Sequence, residues 1–238
     1  MKIALIGYGK MGKIIEQIAQ ERGHEIVCAF HSSNPTNAKD LVQAQIAIEF
    51  SKPDLAVDHI TICAENGIPV VVGTTAWMSD MGKVETIISK NNASLLYSSN
   101  FSLGVNLFFE LNKQLAKLMN KHPQYEARIT ETHHTEKLDA PSGTAVSLGN
   151  DLIFNHANYS TWQLEDNTPS DKNILPIVAK RIPHVPGTHE ITYTSSIDQI
   201  SIQHEAKNRE GFALGSILAA EFLLNKKGIF TMSDVLKF

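Results

Sequence analysis

No stretch of the 238 residues approaches 18 consecutive apolar positions, which excludes a membrane-spanning helix. Cysteine is scarce. Cys28 and Cys63 form no metal or redox pattern and are expected as reduced, buried thiols of a cytoplasmic protein. There is no excess of positive charge: 21 Lys and Arg against 25 Asp and Glu give a formal net charge of −4, so neither nucleic acid nor an anionic membrane is an expected partner. Repeats and low-complexity segments are absent. The apolar start Met1–Ile6 is too short for a signal peptide and breaks at a glycine, so it reads as a first β-strand. What is present is 42% hydrophobic and 19% charged residues, a mixture that packs a core.

Strand-like runs at Lys2–Ile6, His24–Phe30, Ile46–Phe50, Pro69–Gly73 and Ser94–Tyr97 alternate with helical patterns at Met11–Arg22, Asp54–Glu65 and Ser79–Asn91. Such alternation predicts an α/β domain with a Rossmann-like parallel sheet covered on both faces. After Asn106 the rhythm changes. A helix over Val105–Met119, a strand over Tyr125–Thr132, a helix from about Ser142, an irregular polar stretch over 159–173 and strands at Ile174–Ile182, His189–Ser195 and Gln199–Glu205 predict an α+β domain with an open mixed sheet. A last helix over Phe212–Leu224 and the tail ending in Phe238 are expected to return to the first domain. The expected domains are 1–104, completed by 213–238, and 105–212.

Gly7-Tyr8-Gly9-Lys10-Met11-Gly12 fits G-x-G-x-x-G between a predicted strand and a predicted helix. Gly7 permits the tight turn, Gly9 lets the backbone approach a pyrophosphate, and Gly12 lets the helix pack against its strand. The pyrophosphate would rest on the helix N-terminus, where unpaired N–H groups and the dipole favour negative charge. The acidic residue usual after the second strand is missing: Phe30 is followed by His31, Ser32 and Ser33. Gly73-Thr74-Thr75 and Ser98-Ser99-Asn100-Phe101 end strands and could line the nicotinamide end of such a site. They fit ordinary turn chemistry equally well.

The run Glu131-Thr132-His133-His134-Thr135-Glu136-Lys137-Leu138-Asp139-Ala140-Pro141-Ser142-Gly143-Thr144-Ala145 places two histidines and a lysine at a strand end, before a helix start. Ser142 is a natural N-cap, and the N–H groups after it would cradle a carboxylate beside the Lys137 charge. A histidine able to move a proton near neutral pH completes an anion-handling site. Surface histidines and a plain helix cap remain the alternative. Zinc does not fit the pattern, because adjacent strand residues face opposite ways and the histidine pair lacks a third ligand at zinc spacing.

This run resembles the signature E-x-H-H-x-x-K-x-D-A-P-S-G-T-A of the 4-hydroxy-tetrahydrodipicolinate reductases. The resemblance extends over Glu49-Phe50-Ser51, Gly73-Thr74-Thr75, Ser99–Asn106, Arg181, Val185–His189 and Lys207–Ala213. It implies NADPH- or NADH-dependent reduction of a cyclic dicarboxylate in lysine and diaminopimelate synthesis, by a cytoplasmic homotetramer built through the second domain's sheets that closes a hinge over substrate. His133 falls on the family's proton donor and Lys137 on its catalytic lysine. His134, Lys137, Ser142, Gly143 and Thr144 fall on carboxylate contacts. Gly7, Gly9, Lys10, Met11, Gly12, His31, Ser32, Gly73, Thr75, Ser98 and Phe101 fall on dinucleotide contacts. No metal is expected. Two positions depart from the family pattern: His31 replaces the acid after the second strand, and Pro183 stands where a glycine is common. Rival readings are an amino-acid or imine oxidoreductase of the same architecture and a dinucleotide-sensing protein without catalysis.

Overall fold

A computed structural model describes residues 1–165 and 171–237. Part of the stretch expected to be irregular, residues 166–170, and the tail residue Phe238 lie outside the described residues. In chain order the elements are β1 (Lys2–Ile6), α1 (Lys10–Glu21), β2 (Glu25–Phe30), α2 (Ala38–Leu41), β3 (Ile46–Glu49), α3 (Pro53–Glu65), β4 (Val70–Val72), α4 (Met81–Lys90, entered through a 3-10 turn at Met78–Asp80) and β5 (Ser94–Tyr97). They continue with α5 (Leu103–Met119), β6 (Glu126–His133), α6 (Gly143–Asn155), β7 (Thr161–Leu164), β8 (Ile174–Arg181), β9 (Thr188–Thr194), β10 (Gln199–Glu205), α7 (Glu210–Leu223), β11 (Gly228–Phe230) and α8 (Met232–Leu236).

The chain divides into two compact units, Met1–Leu103 with Arg209–Phe238, and Gly104–Asn208. In the first, six strands lie in the order β11-β5-β4-β3-β1-β2, and every pairing is parallel. Alternate residues of each strand feed opposite faces. Ala4, Ile6, Ala47, Val70, Val72 and Leu95 meet Ala56 and Ile60 of α3 and Val84 and Ile88 of α4. Ile3, Leu5, Ile46, Ile48, Val71 and Leu96 meet Ile15 and Ala19 of α1 and Ala213, Ile217 and Ala220 of α7. Burial on both faces explains why these strands read as near-continuous apolar runs.

The second unit is a mixed five-stranded sheet, β10-β9-β6-β8-β7, with β9 antiparallel to β6 and β10, and β8 parallel to β6 and β7. Ala127 and Ile129 of β6, Ile177 of β8 and Ile191 and Tyr193 of β9 pack against Phe108 and Ala116 of α5 and Leu148 and Leu152 of α6. Buried Asn112 donates to the Leu148 carbonyl at 3.0 Å, tying α5 to α6. The stretch expected to be irregular contains a strand, β7. Only alternate residues of Thr161–Leu164 are half-buried, so as an edge strand it lacks the apolar run that would mark it. Cys63 is fully buried and Cys28 only partly so; both are free thiols. No described helix is long and apolar enough to cross a membrane.

Among the described glycines of the first unit the tightest is Gly215, where a Cβ would stand 1.7 Å from the Phe101 carbonyl oxygen. Gly215→Ala is therefore expected to cost about 1–3 kcal/mol by overpacking, read as a lower urea midpoint. An unchanged midpoint would mean that α7 is not seated on this backbone.

Candidate active site

The first unit carries the glycine loop. Gly7 has φ +99°, and a Cβ there would stand 2.1 Å from the Phe50 carbonyl oxygen. A Cβ on Gly12 would stand 2.5 Å from the Gly7 carbonyl oxygen, so α1 closes directly on the turn. Gly9 is the N-cap of α1, with no capping side chain and no atom within 4 Å of its Cβ position. The N–H groups of Lys10, Met11 and Gly12 have no partner among the described residues, which leaves a cradle of the kind an anion fills.

Beside the loop is a cavity of about 600 Å³ whose lining includes Gly7, Gly9, His31, Ser32, Thr36, Ser51, Lys52 and His59. His31 and Ser32 are exposed, and a reciprocal backbone pair between His31 and Asn34, both at 2.9 Å, shapes their loop. Buried Glu49 closes the turn after β3: Ser51 donates to Glu49 through both its N–H and its hydroxyl, and its N–H also reaches Thr74 Oγ1 at 2.8 Å. Gly73 is held against the Phe50 ring, Thr75 is exposed, and Ser98 Oγ bonds the Asn100 backbone. Phe101 is 2% exposed within the apolar cluster of α7, so its ring is closed to a ligand. Sequence reasoning overlooked Lys52 and His59. Their signal was the segment after β3, the neighbour of β1 in the sheet: Lys52 lies in the turn and His59 on α3.

The second site grows from the alternation of β6. Ala127, Ile129, Glu131 and His133 share the buried face, and β9 adds Tyr193, Ile191 and His189 in register, with Glu131 opposite His189. The face is apolar along most of the sheet and turns polar at one end. There Glu131, fully buried, accepts from Arg181 Nη2 (3.0 Å) and the Ser142 N–H (3.3 Å) on Oε1, while Oε2 lies 2.5 Å from His133 Nδ1. Arg181 also donates to the carbonyls of Lys137 (3.3 Å) and Asp139 (2.6 Å), fixing the loop after β6. His189 Nε2 lies 3.1 Å from Ser142 Oγ, which caps α6 by accepting from Ala145 N at 3.2 Å. The N–H groups of Gly143 and Thr144 remain unpaired among the described residues. Lys137 Nζ contacts both Asp139 carboxylate oxygens, at 2.8 and 2.9 Å. His134 lies just beyond the strand, half-buried. Pro183 sits in a turn completed by His184 at φ +65°.

The structure thus brings His133, Lys137, Ser142, Gly143 and Thr144 to one end of this unit. It adds Glu131, Arg181 and His189, which sequence reasoning did not assign to the site. Burial raises the pKa of Glu131, but contacts from His133, Ser142 and Arg181 outweigh it and bring the carboxyl down to about 2. Burial first, and the His133 charge second, push His189 down to about 4, so it stands neutral beside His133.

The sequence reading weighed only the adjacent pair His133 and His134 as metal ligands, whereas the structure groups His133 with residues outside that pair. Glu131, His133 and His189 place ligand atoms within 4.8 Å of one another, because a two-residue step and a strand pairing bring them together. Two ligands of one tetrahedral zinc, each bound at about 2.0–2.1 Å, stand roughly 3.3 Å apart. The 2.5 Å separation of Glu131 and His133 suits a proton instead, and the Arg181 guanidinium supplies the positive charge.

Because His189 falls from its ordinary value of 6.5 to about 4 in the fold, the unfolded chain binds more protons than the native one between those values. Stability linked to His189 is complete above about pH 6.5 and is lost as pH falls toward 4. His189→Gln is expected to flatten the fall in urea midpoint over this window. An equally steep profile in the variant would show that His189 is not buried in its neutral form.

Models of dihydrodipicolinate reductase match the chain, the N-terminus model over residues 1–101 and the C-terminus model over 104–236. A 4-hydroxy-tetrahydrodipicolinate reductase from Christiangramia forsetii is 48% identical over 236 residues, 99% of this chain and 98% of the relative. One from Thermosipho africanus is 31% identical over 242 residues, 100% and 98% of the two chains. Among solved structures, dipicolinate-bound dihydrodipicolinate reductase from Paenisporosarcina sp. TG-14 superposes with a TM-score of 0.77 at 20% identity, covering 97% of each chain. Amine dehydrogenase from Mycobacterium smegmatis shares the fold at a TM-score of 0.60 and 12% identity, covering 98% and 95%.

Proposed function

The chain belongs to the dihydrodipicolinate reductase family, and we propose on that premise that it is a 4-hydroxy-tetrahydrodipicolinate reductase of lysine and diaminopimelate synthesis that uses His133 as proton donor. The observation that carries this reading is the fold of Glu131–Ala145. A buried imidazole, an ammonium group and an open helix N-terminus converge at one end of the β6 sheet. That set suits a small dicarboxylate, which an amino-acid dehydrogenase or a non-catalytic sensor would not require.

The family works with a pyridine nucleotide, and the first unit's uncapped α1 and bare Gly9 fit its pyrophosphate. When bound, that cofactor supplies a hydride. In the second unit, the N–H groups of Gly143 and Thr144, the Ser142 hydroxyl and His134 receive substrate carboxylate. Lys137 exchanges its partner Asp139 for a carboxylate of the substrate and offsets charge that develops in the ring. His133 gives a proton to the ring atom that becomes basic as the hydride arrives. Overall, substrate, reduced nucleotide and a proton yield the reduced ring, oxidised nucleotide and water. The proposal extends to a cytoplasmic homotetramer, supported by the family kinship and by the exposed apolar side chains Leu107, Leu111 and Leu118 of α5.

His133→Gln is expected to lower kcat by about 10²–10⁴ while the dissociation constant for the dinucleotide, measured by fluorescence, stays within a few-fold. Turnover close to wild type would remove His133 from the proton step.

For the nucleotide, the missing acid after β2 removes the group that repels a 2′-phosphate. His31, Ser32 and Lys52 on the same cavity offer donors and positive charge. NADPH is therefore expected to serve at least as well as NADH. Ser32→Glu should shift use toward NADH through repulsion and new ribose contacts. Values of kcat/KM for both nucleotides in both proteins test this. A wild type favouring NADH by more than about tenfold, or ~1.4 kcal/mol, would contradict it.

A further inference from the structure

Glu131 Oε2 and His133 Nδ1 are both buried, lie 2.5 Å apart, and have no other hydrogen-bond partner among the described residues. A carboxylate oxygen can only accept, so a hydrogen on Nδ1 satisfies both atoms at once. The carboxylate has little freedom to turn away, because Oε1 is held by Arg181 and by the Ser142 N–H. The ring is further confined by His189, which packs edge-on at 5.1 Å between centroids and 72° between planes. Nε2 is different. Gly187 approaches it so closely that a Cβ would stand 3.0 Å from Nε2 and 3.2 Å from Cδ2. A side chain at 187 would press on the one ring nitrogen that Glu131 leaves free.

We propose that Glu131 fixes the neutral tautomer of His133 with its hydrogen on Nδ1, that Nε2 is the atom that gives up the proton, and that Gly187 keeps this nitrogen uncovered. The proposal rests on the reading of His133 as proton donor, and adds which nitrogen works and what holds it. In the step, the Nε2–H bond breaks and its electron pair stays on nitrogen. The proton forms a bond to the substrate ring atom as the hydride reaches the ring from the nucleotide. The imidazolium becomes a neutral imidazole that already carries its remaining hydrogen on Nδ1, facing the Glu131 carboxylate, which stays ionised throughout. No ring flip is needed before solvent restores the proton on Nε2. Glu131 is thus a positioning residue: it acts through His133 and need not touch substrate.

The test is nitrogen NMR of histidine-labelled protein, with the His133 signal assigned by its loss in His133→Gln. The wild type at a pH where the ring is neutral is expected to show hydrogen on Nδ1. Glu131→Gln, whose amide can donate as well as accept, is expected to lose that preference and to lower kcat more than it raises KM. In Gly187→Ala the tautomer should persist while kcat falls roughly tenfold or more, part of the 10²–10⁴ that a general acid typically supplies. Hydrogen on Nε2 in the wild type, or full turnover by Gly187→Ala, overturns the proposal. Should Glu131→Gln fail to fold, the wild-type spectrum and Gly187→Ala still decide. A wild type that does not reduce 4-hydroxy-tetrahydrodipicolinate would refute the proposed reaction, and the spectrum would still settle the tautomer.

Discussion

A carboxylate sealed from water has to be paired, and the pairing of Glu131 with Arg181 is the constraint on which the second unit's site depends. Removing one partner of such a pair typically costs about 3–5 kcal/mol, because the other charge is left alone. The demand is met from several elements at once. Glu131 and His133 come from β6, Arg181 from β8 and the Ser142 N–H from the α6 cap. Arg181 also donates to the carbonyls of Lys137, Asp139 and Lys180, so the charge that stabilises Glu131 also shapes the loop carrying the lysine. Orientation of the imidazole, the lysine and the helix start thus has a common origin.

The glycine loop of the first unit obeys a constraint of space. Gly7 admits the Phe50 carbonyl, Gly12 admits Gly7, and Gly73 admits the Phe50 ring. Three turns at the carboxyl ends of the adjacent strands β1, β3 and β4 are nested by these contacts, and the hydrogen bonds of Ser51 to Glu49 and Thr74 lock the nest. A preformed arrangement of this kind spares a nucleotide much of the ordering cost of binding.

Much of this was legible in the amino-acid order, and what was not has a physical reason. β1, β5 and β10 were expected to the residue, because their apolar runs or alternation end at clear turn signals. β7 and β11 were not: one is a half-buried edge strand, and the other is half-buried at all three residues, without the continuous apolar run that marked the equally short β4. At the site, His133, Lys137 and Ser142 stood out because they lie in one continuous run. Glu131 was legible in principle, since a step of two along β6 keeps it on the His133 face. Arg181 lies 50 residues beyond Glu131, and His189 lies 47 beyond Ser142. They join the cluster only through strand pairing, which no local pattern specifies. Lys52 and His59 escaped notice because the usual search for ribose contacts stops after the second strand, whereas their cavity wall is built beyond the third.

The second unit is inserted between β5 and α7 of the first. The helix α7 that helps to cover Ile3, Leu5, Val71 and Leu96, and the strand β11 that pairs with β5 from Gly228↔Ser94, are therefore synthesised only after the inserted unit. At about 5–20 residues per second, the ribosome needs roughly 5–20 s to make Gly104–Asn208. During that interval the part of one sheet face that α7 covers, and the β5 edge, lack their covering elements. The inserted unit is contiguous and can close first. The inserted unit can therefore complete its core before the first unit can, and until α7 emerges Leu5, Val71 and Leu96 lack part of their cover.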